Sequence, residues 1–127
     1  MALVSDVTAD LVGRMLDVQK LRAEAAAGNI ARANVPGYIP QEVDFRSQVA
    51  SLQQDLQQPE ALAADLAEMR VDGSMLKPEA TSSLLGASVN LDNEVSTLTI
   101  ADTQYETLIE SLNRHFGLMT LAITGRE

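Results

Sequence analysis

Residues 91–123 carry an apolar repeat that few architectures accommodate. Stepping alternately four and three residues from Leu91 meets Val95, Leu98, Asp102, Tyr105, Ile109, Leu112, Phe116, Met119 and Ile123. Asp102 is the single polar member. A 4–3 step keeps these side chains on one stripe of an α-helix, and the stripe is a coiled-coil seam sustained over four heptads. Asn90 is placed to cap the start of that helix, and Asp92 and Glu94 suit the positive end of its dipole. Gly125, followed by Arg126, predicts its end. Gly117 is a weak point inside it.

The other end of the chain repeats the pattern less regularly. Val4, Val7, Leu11, Arg14, Val18, Leu21, Ala25 and Gly28 follow the same spacing. Arg14 interrupts the stripe, and the small Ala25 and Gly28 would let another helix approach closely. At the helical rise, residues 3–33 span about 45 Å and residues 91–124 about 50 Å. Matched lengths at opposite ends predict an antiparallel coiled coil of the N- and C-terminal helices, formed by residues 1–34 and 89–127. Leu3, Val12, Met15 and Leu16 on the first helix, and Leu108, Leu118 and Leu121 on the second, lie off the seams. Burying residues of this size contributes roughly 1.5–3 kcal/mol each. The surplus predicts packing against further copies or partners. The alternative is that the middle of the chain folds back over the stripe.

That middle, residues 46–88, is weakly patterned. One short helix is expected after Pro59, with Leu62, Leu66 and Met69 on one side. "RVDGSMLKPEATSSLLGAS" reads as loop, with Asp-Gly and Lys-Pro pairs and serines. A long stretch of this kind is expected to be mobile or ordered only on assembly.

Composition narrows the function. Over 127 residues the formal net charge is −9, which argues against a nucleic-acid partner. There is no cysteine, so neither a disulfide nor thiol chemistry is available. The opening "MALVSDVTAD" lacks a basic region followed by a long apolar run, so no cleaved Sec signal is expected. His115 is the only histidine and reads as a surface or interface residue. Asp6 and Asp10 share a helix face without a further acid/base partner. No metal-ligand spacing and no Gly-rich phosphate loop is present. The expectation is a non-enzymatic protein with no cofactor, metal or small-molecule substrate.

Residues 28–45, "GNIARANVPGYIPQEVDF", join the first helix to the middle. Asn34 is placed to end the helix in the left-handed conformation. Val35 precedes proline and is pushed toward extended backbone. Pro36 and Gly37 then suit the two central positions of a type II turn. Ile39, Val43 and Phe45 recur at even spacing, predicting an extended arm over 35–45 with one apolar side and with Gln41 and Asp44 between faces.

"GNIARANVPGY" resembles the A-N-I-A-N-A-x-T-P-G-Y motif near the N-terminus of the bacterial flagellar rod and hook axial proteins. Asn29, Ile30, Ala31, Ala33, Pro36, Gly37 and Tyr38 match, and "QEVDF", with Val43, Asp44 and Phe45, is similar to the end of that motif in the small rod proteins. "VNLDNEVSTLTIADTQYETL" is similar to their C-terminal helix, with Gln104 and Tyr105 matching. Gly28 stands where the family usually has Ala, Arg32 where Asn is common, and Val35 where Thr is common. The resemblance implies a structural subunit exported through the flagellar type III apparatus and assembled helically into the periplasmic rod. Its implied partners are other copies of itself, other rod proteins and the basal-body junction with the export gate. A neighbouring small rod protein of the same family is the near alternative. A cytoplasmic helical adaptor or chaperone is the alternative from another class.

Overall fold

The computed structural model describes residues 2–79 and 89–125, with the side chains of residues 2–6 left out. The expectations for Leu3, Val4 and Asp6, and for the serine-rich end of the middle, lie outside the described residues. The order is α1 (Ala2–Ala31), β1 (Gln41–Val43), α2 (Arg46–Gln54), α3 (Pro59–Glu68), a single 3₁₀ turn (Gly73–Met75), β2 (Leu76–Pro78) and α4 (Leu91–Thr124). The protein is mainly helical, and its N- and C-terminal helices pack together.

The ends of α4 follow from local chemistry. The Asn90 side chain accepts from the Asn93 N–H at 3.2 Å, and Gly125 closes the helix at φ 66° with its N–H on the Leu121 carbonyl. Both devices satisfy backbone groups that a helix end leaves without partners.

α1 ends differently from the expectation. No non-glycine described residue has positive φ, so Asn34 is not left-handed. The chain instead leaves α1 through successive tight turns, with Ala33 N–H on the Ile30 carbonyl at 3.3 Å and Val35 N–H on the Arg32 carbonyl at 3.0 Å. These i→i+3 bonds satisfy carbonyls at the helix end without a left-handed residue.

The core lies where the sequence pattern was weakest. Leu62, Leu66 and Met69 project from α3 and its end, at steps of four and three residues. Together with Leu52 of α2 they close over Val7 and Val18 of α1, and Leu11, Met15, Val43 and Phe45 pack at the margin. Pro59 opens α3 at its first turn, where a missing N–H is harmless. The described part of the middle thus folds back over the α1 stripe, and α2 and β2 are elements that the sequence pattern did not announce.

β1 and β2 form an antiparallel ribbon with Gln41 opposite Pro78, Glu42 opposite Lys77 and Val43 opposite Leu76. Backbone bonds extend it at both ends: Asp44 N–H to the Met75 carbonyl at 2.7 Å and Glu79 N–H to the Pro40 carbonyl at 2.9 Å. Lys77 reaches Glu42 at 3.7 Å and Asp44 at 3.6 Å. These pairs are solvent-exposed and add little stability.

α4 packs chiefly on α1. Apart from Thr97, its shielded positions are Glu94, Leu98, Ala101, Tyr105, Leu108, Leu112, His115 and Met119. They also step by four and three, but alternate members differ from the seam expected from the sequence. Leu98, Tyr105, Leu112 and Met119 are common to both series. Leu91, Val95, Asp102, Ile109, Phe116 and Ile123 are exposed. The phase adopted places fully buried Ala101, rather than Asp102, against α1. That avoids burying a charge and lets the helices approach closely. No described helix is long and apolar enough to cross a membrane.

Candidate functional site

The joint between α1 and the arm is built around Asn29. It stands three residues after Ala26, one turn further along α1, and both are buried. Asn29 has 0% of its surface exposed. Its carboxamide pairs with the main chain of Gln41 in both directions. Oδ1 accepts the Gln41 N–H at 3.0 Å, and Nδ2 donates to the Gln41 carbonyl at 2.9 Å. A strand beside β1 would offer the same donor and acceptor. The Tyr38 hydroxyl donates to Oδ1 at 2.6 Å, and Nδ2 makes a longer contact of 3.5 Å to Glu79 Oε1. The amide is thereby used to its full capacity of two acceptor and two donor positions.

This arrangement requires the chain to reverse between Asn29 and Gln41. Tyr38 N–H bonds to the Val35 carbonyl at 3.2 Å, and Gly37 has φ 78°. With Pro36 and Gly37 at the two central positions, this is the type II turn that the sequence predicts. The reversal returns Tyr38 to the end of α1, where the Arg32 guanidinium lies 5.9 Å from its ring centroid, a cation–π distance. A Cβ on Gly28 would stand 3.0 Å from Arg32 Nη1. Two of the three departures from the axial-protein motif, Gly28 and Arg32, therefore share one space.

The other motif residues separate into covered and open groups. Ile30, Ala33, Val43, Asp44 and Phe45 are half-buried, whereas Ala31, Asn34, Pro36 and Gly37 are exposed. The expectation that Ile39 shares the apolar side of the arm with Val43 and Phe45 is corrected. Ile39 is exposed and Pro40 is buried in its place, because the extended pairing begins only at Gln41.

The expected helix seams are likewise divided. Val7 and Val18 are buried and Leu11 is half-buried, but all three belong to the cluster under α2 and α3. Leu21 is half-buried on α1. Arg14 lines a shallow cleft with Asp10, Gly13, Asp17 and Tyr105. Leu98, Tyr105, Leu112 and Met119 are partly shielded, while Leu91, Val95, Ile109, Phe116 and Ile123 form an open stripe. Phe116 is 46% exposed and Ile123 81%.

Two further residues escaped the sequence pattern. Glu79 and Glu94 line one cleft of about 310 Å³ between α1, the ribbon and the start of α4. Glu94 is 1% exposed, and among the described residues its Oε1 has no hydrogen-bond donor. Burial pushes the Glu79 carboxyl up to about 8, assisted by the neighbouring carboxyls of Glu94 and Glu42. In the sequence Glu94 is legible only as a partner of the α4 dipole, and Glu79 carries no signal.

Among the described residues no group of three or more His, Asp or Glu side chains is arranged to hold a metal ion. The chemistry on display is conformational: a clamped turn, a ribbon and an open apolar helix face. No protein-family model and no curated protein sequence matches this chain.

Proposed function

We propose that the chain is a structural subunit of the proximal rod of the bacterial flagellar basal body, of the FlgB type. It would assemble helically in the periplasm, transmit torque and line the export channel. The observation that carries this reading is the open stripe on α4. Leu91, Val95, Ile109, Phe116 and Ile123 stay exposed after α1 has been covered on another side by α2 and α3. A helix with apolar side chains in two overlapping 4–3 series is suited to packing on two neighbours at once. One neighbour is α1 of the same chain, and the other would come from assembly.

The terminal helices are read as an antiparallel coiled coil. The order of contacts supports that direction. Ala25 and Ala26 share a cleft with Asn93, Glu94 and Thr97, whereas Asp10, Gly13 and Arg14 meet Tyr105 further along α4. Between them Arg22 donates to Gln104 at 3.0 Å. The Asn29 clamp and the Pro36–Gly37 turn would then set the angle at which the arm leaves this inner layer. The motif similarity agrees with export by the flagellar apparatus.

The test is isolation of basal bodies from cells expressing the tagged chain. A rod subunit co-purifies with them at fixed stoichiometry. A cytoplasmic helical adaptor would be absent, and that result would overturn the proposal.

A further inference from the structure

Glu94 lies in the first turn of α4 with its carboxylate almost wholly out of water. An isolated buried charge of this kind is strongly disfavoured unless something neutralises it. The charged groups around it do not. Arg22 of α1 lines the same cleft, but its Nη1 donates to Gln19 at 2.9 Å and Gln104 at 3.0 Å. Glu42 of β1 adds negative charge to the cleft. Lys77 of β2 is drawn to Glu42 and Asp44. Asp92, in the first turn of α4, is exposed. The remaining candidate is Glu79, whose backbone is tied to Pro40 and whose Oε1 is contacted by Asn29.

We propose that Glu79 and Glu94 form a proton-held latch that fastens the start of α4 to the end of β2 and opens when the shared proton is lost. The positive end of the α4 dipole favours the negative charge on Glu94. The proton therefore rests on Glu79, and its O–H donates to the Glu94 oxygen that has no other donor among the described residues. A folded-state value of about 8, against the ordinary 4.5, means that the folded chain holds a proton which the unfolded chain releases. The latch contributes fully below pH 4.5 and weakens progressively as the pH rises through about 8. Above that range two carboxylates face each other in a poorly solvated cleft, and the first turns of α4 part from the ribbon. This device does not depend on the rod assignment.

The test is a titration of the full chain labelled with ¹³C at the glutamate side-chain carboxyls. Asp55, a second carboxyl raised by its hydrogen bond to Asp65, is invisible to that label. The expected result is one glutamate signal titrating at least about two units above the ordinary range, absent in Glu79→Gln. Amide exchange, corrected for its intrinsic pH dependence, supplies the second measurement. Protection of the Glu94 N–H, which bonds to the Asn90 carbonyl, should fall at least about tenfold from pH 6 to 9 in the native chain and much less in Glu79→Gln. Glutamate signals that all titrate below about pH 6 would overturn the latch. So would an equal loss of protection in Glu79→Gln.

Discussion

Replacing Asn29 with alanine should unfasten the arm from α1. Three well-formed bonds disappear, at 2.6, 2.9 and 3.0 Å. Each contributes about 1 kcal/mol net, and a buried polar group stripped of its partner loses about 1–3 kcal/mol. The Gln41 N–H and carbonyl and the Tyr38 hydroxyl all face this site, but the half-buried Gln41 and Tyr38 regain some water. The expected loss is therefore about 3 kcal/mol, a large part of the 5–15 kcal/mol typical of a domain. Urea unfolding of the full chain followed by circular dichroism gives the total. Exchange of the Gln41 amide reports the clamp itself and should accelerate by more than the global change requires. Tyr38→Phe removes one of the same bonds and should cost about 1 kcal/mol alone, but almost nothing once Asn29 is already alanine. An Asn29→Ala protein within about 0.5 kcal/mol of the original, with Gln41 still protected, would refute the assignment of Asn29 as the clamp. Strict additivity with Tyr38→Phe would refute the shared network.

Other substitutions separate the remaining roles. Leu66→Ala removes a side chain 1% exposed under α1 and should destabilise the free chain by about 2–5 kcal/mol in urea titration. Gly37→Val forces a β-branched residue to φ 78° and should cost about 1–2 kcal/mol. On the rod reading it also blocks rod assembly while export continues, and normal rods in that variant would count against the joint. Phe116→Asp falls on the open stripe of α4, so the free chain should keep its stability within about 0.5 kcal/mol. Basal bodies from cells carrying that variant should nevertheless lack the subunit, and incorporation at the usual level would remove the stripe from the assembly interface.

Much of the architecture was legible from residues close together in the chain. The 4–3 repeat, Asn90 and Gly125 specify α4 almost to its last residue, because helix propagation and capping act over a few neighbours. Pro36–Gly37 specifies the turn for the same reason: one fixed φ and one permissive residue suffice. Pro59 and the spacing of Leu62, Leu66 and Met69 likewise define α3. The end of α1 was less legible. Tight i→i+3 bonding at residues 30–35 satisfies the same helix-end carbonyls as a left-handed stop at Asn34 would.

Tertiary structure decided which apolar surfaces meet. The same α4 sequence supports two 4–3 series, and only contact with α1 selects the one containing Ala101 over the one containing Asp102. Val7 and Val18 suited a partner helix, yet α2 and α3 cover them. Asn29 looked like one letter of a motif until the reversed chain brought Gln41 and Tyr38 to its amide. Glu79 and Glu94 are ordinary carboxyls in the sequence. Their shared proton arises from desolvation and mutual proximity, which depend on residues distant in the chain being brought to one cleft. Local conformational preference determined the helices and the turn, while long-range burial determined the phase of α4, the clamp and the latch.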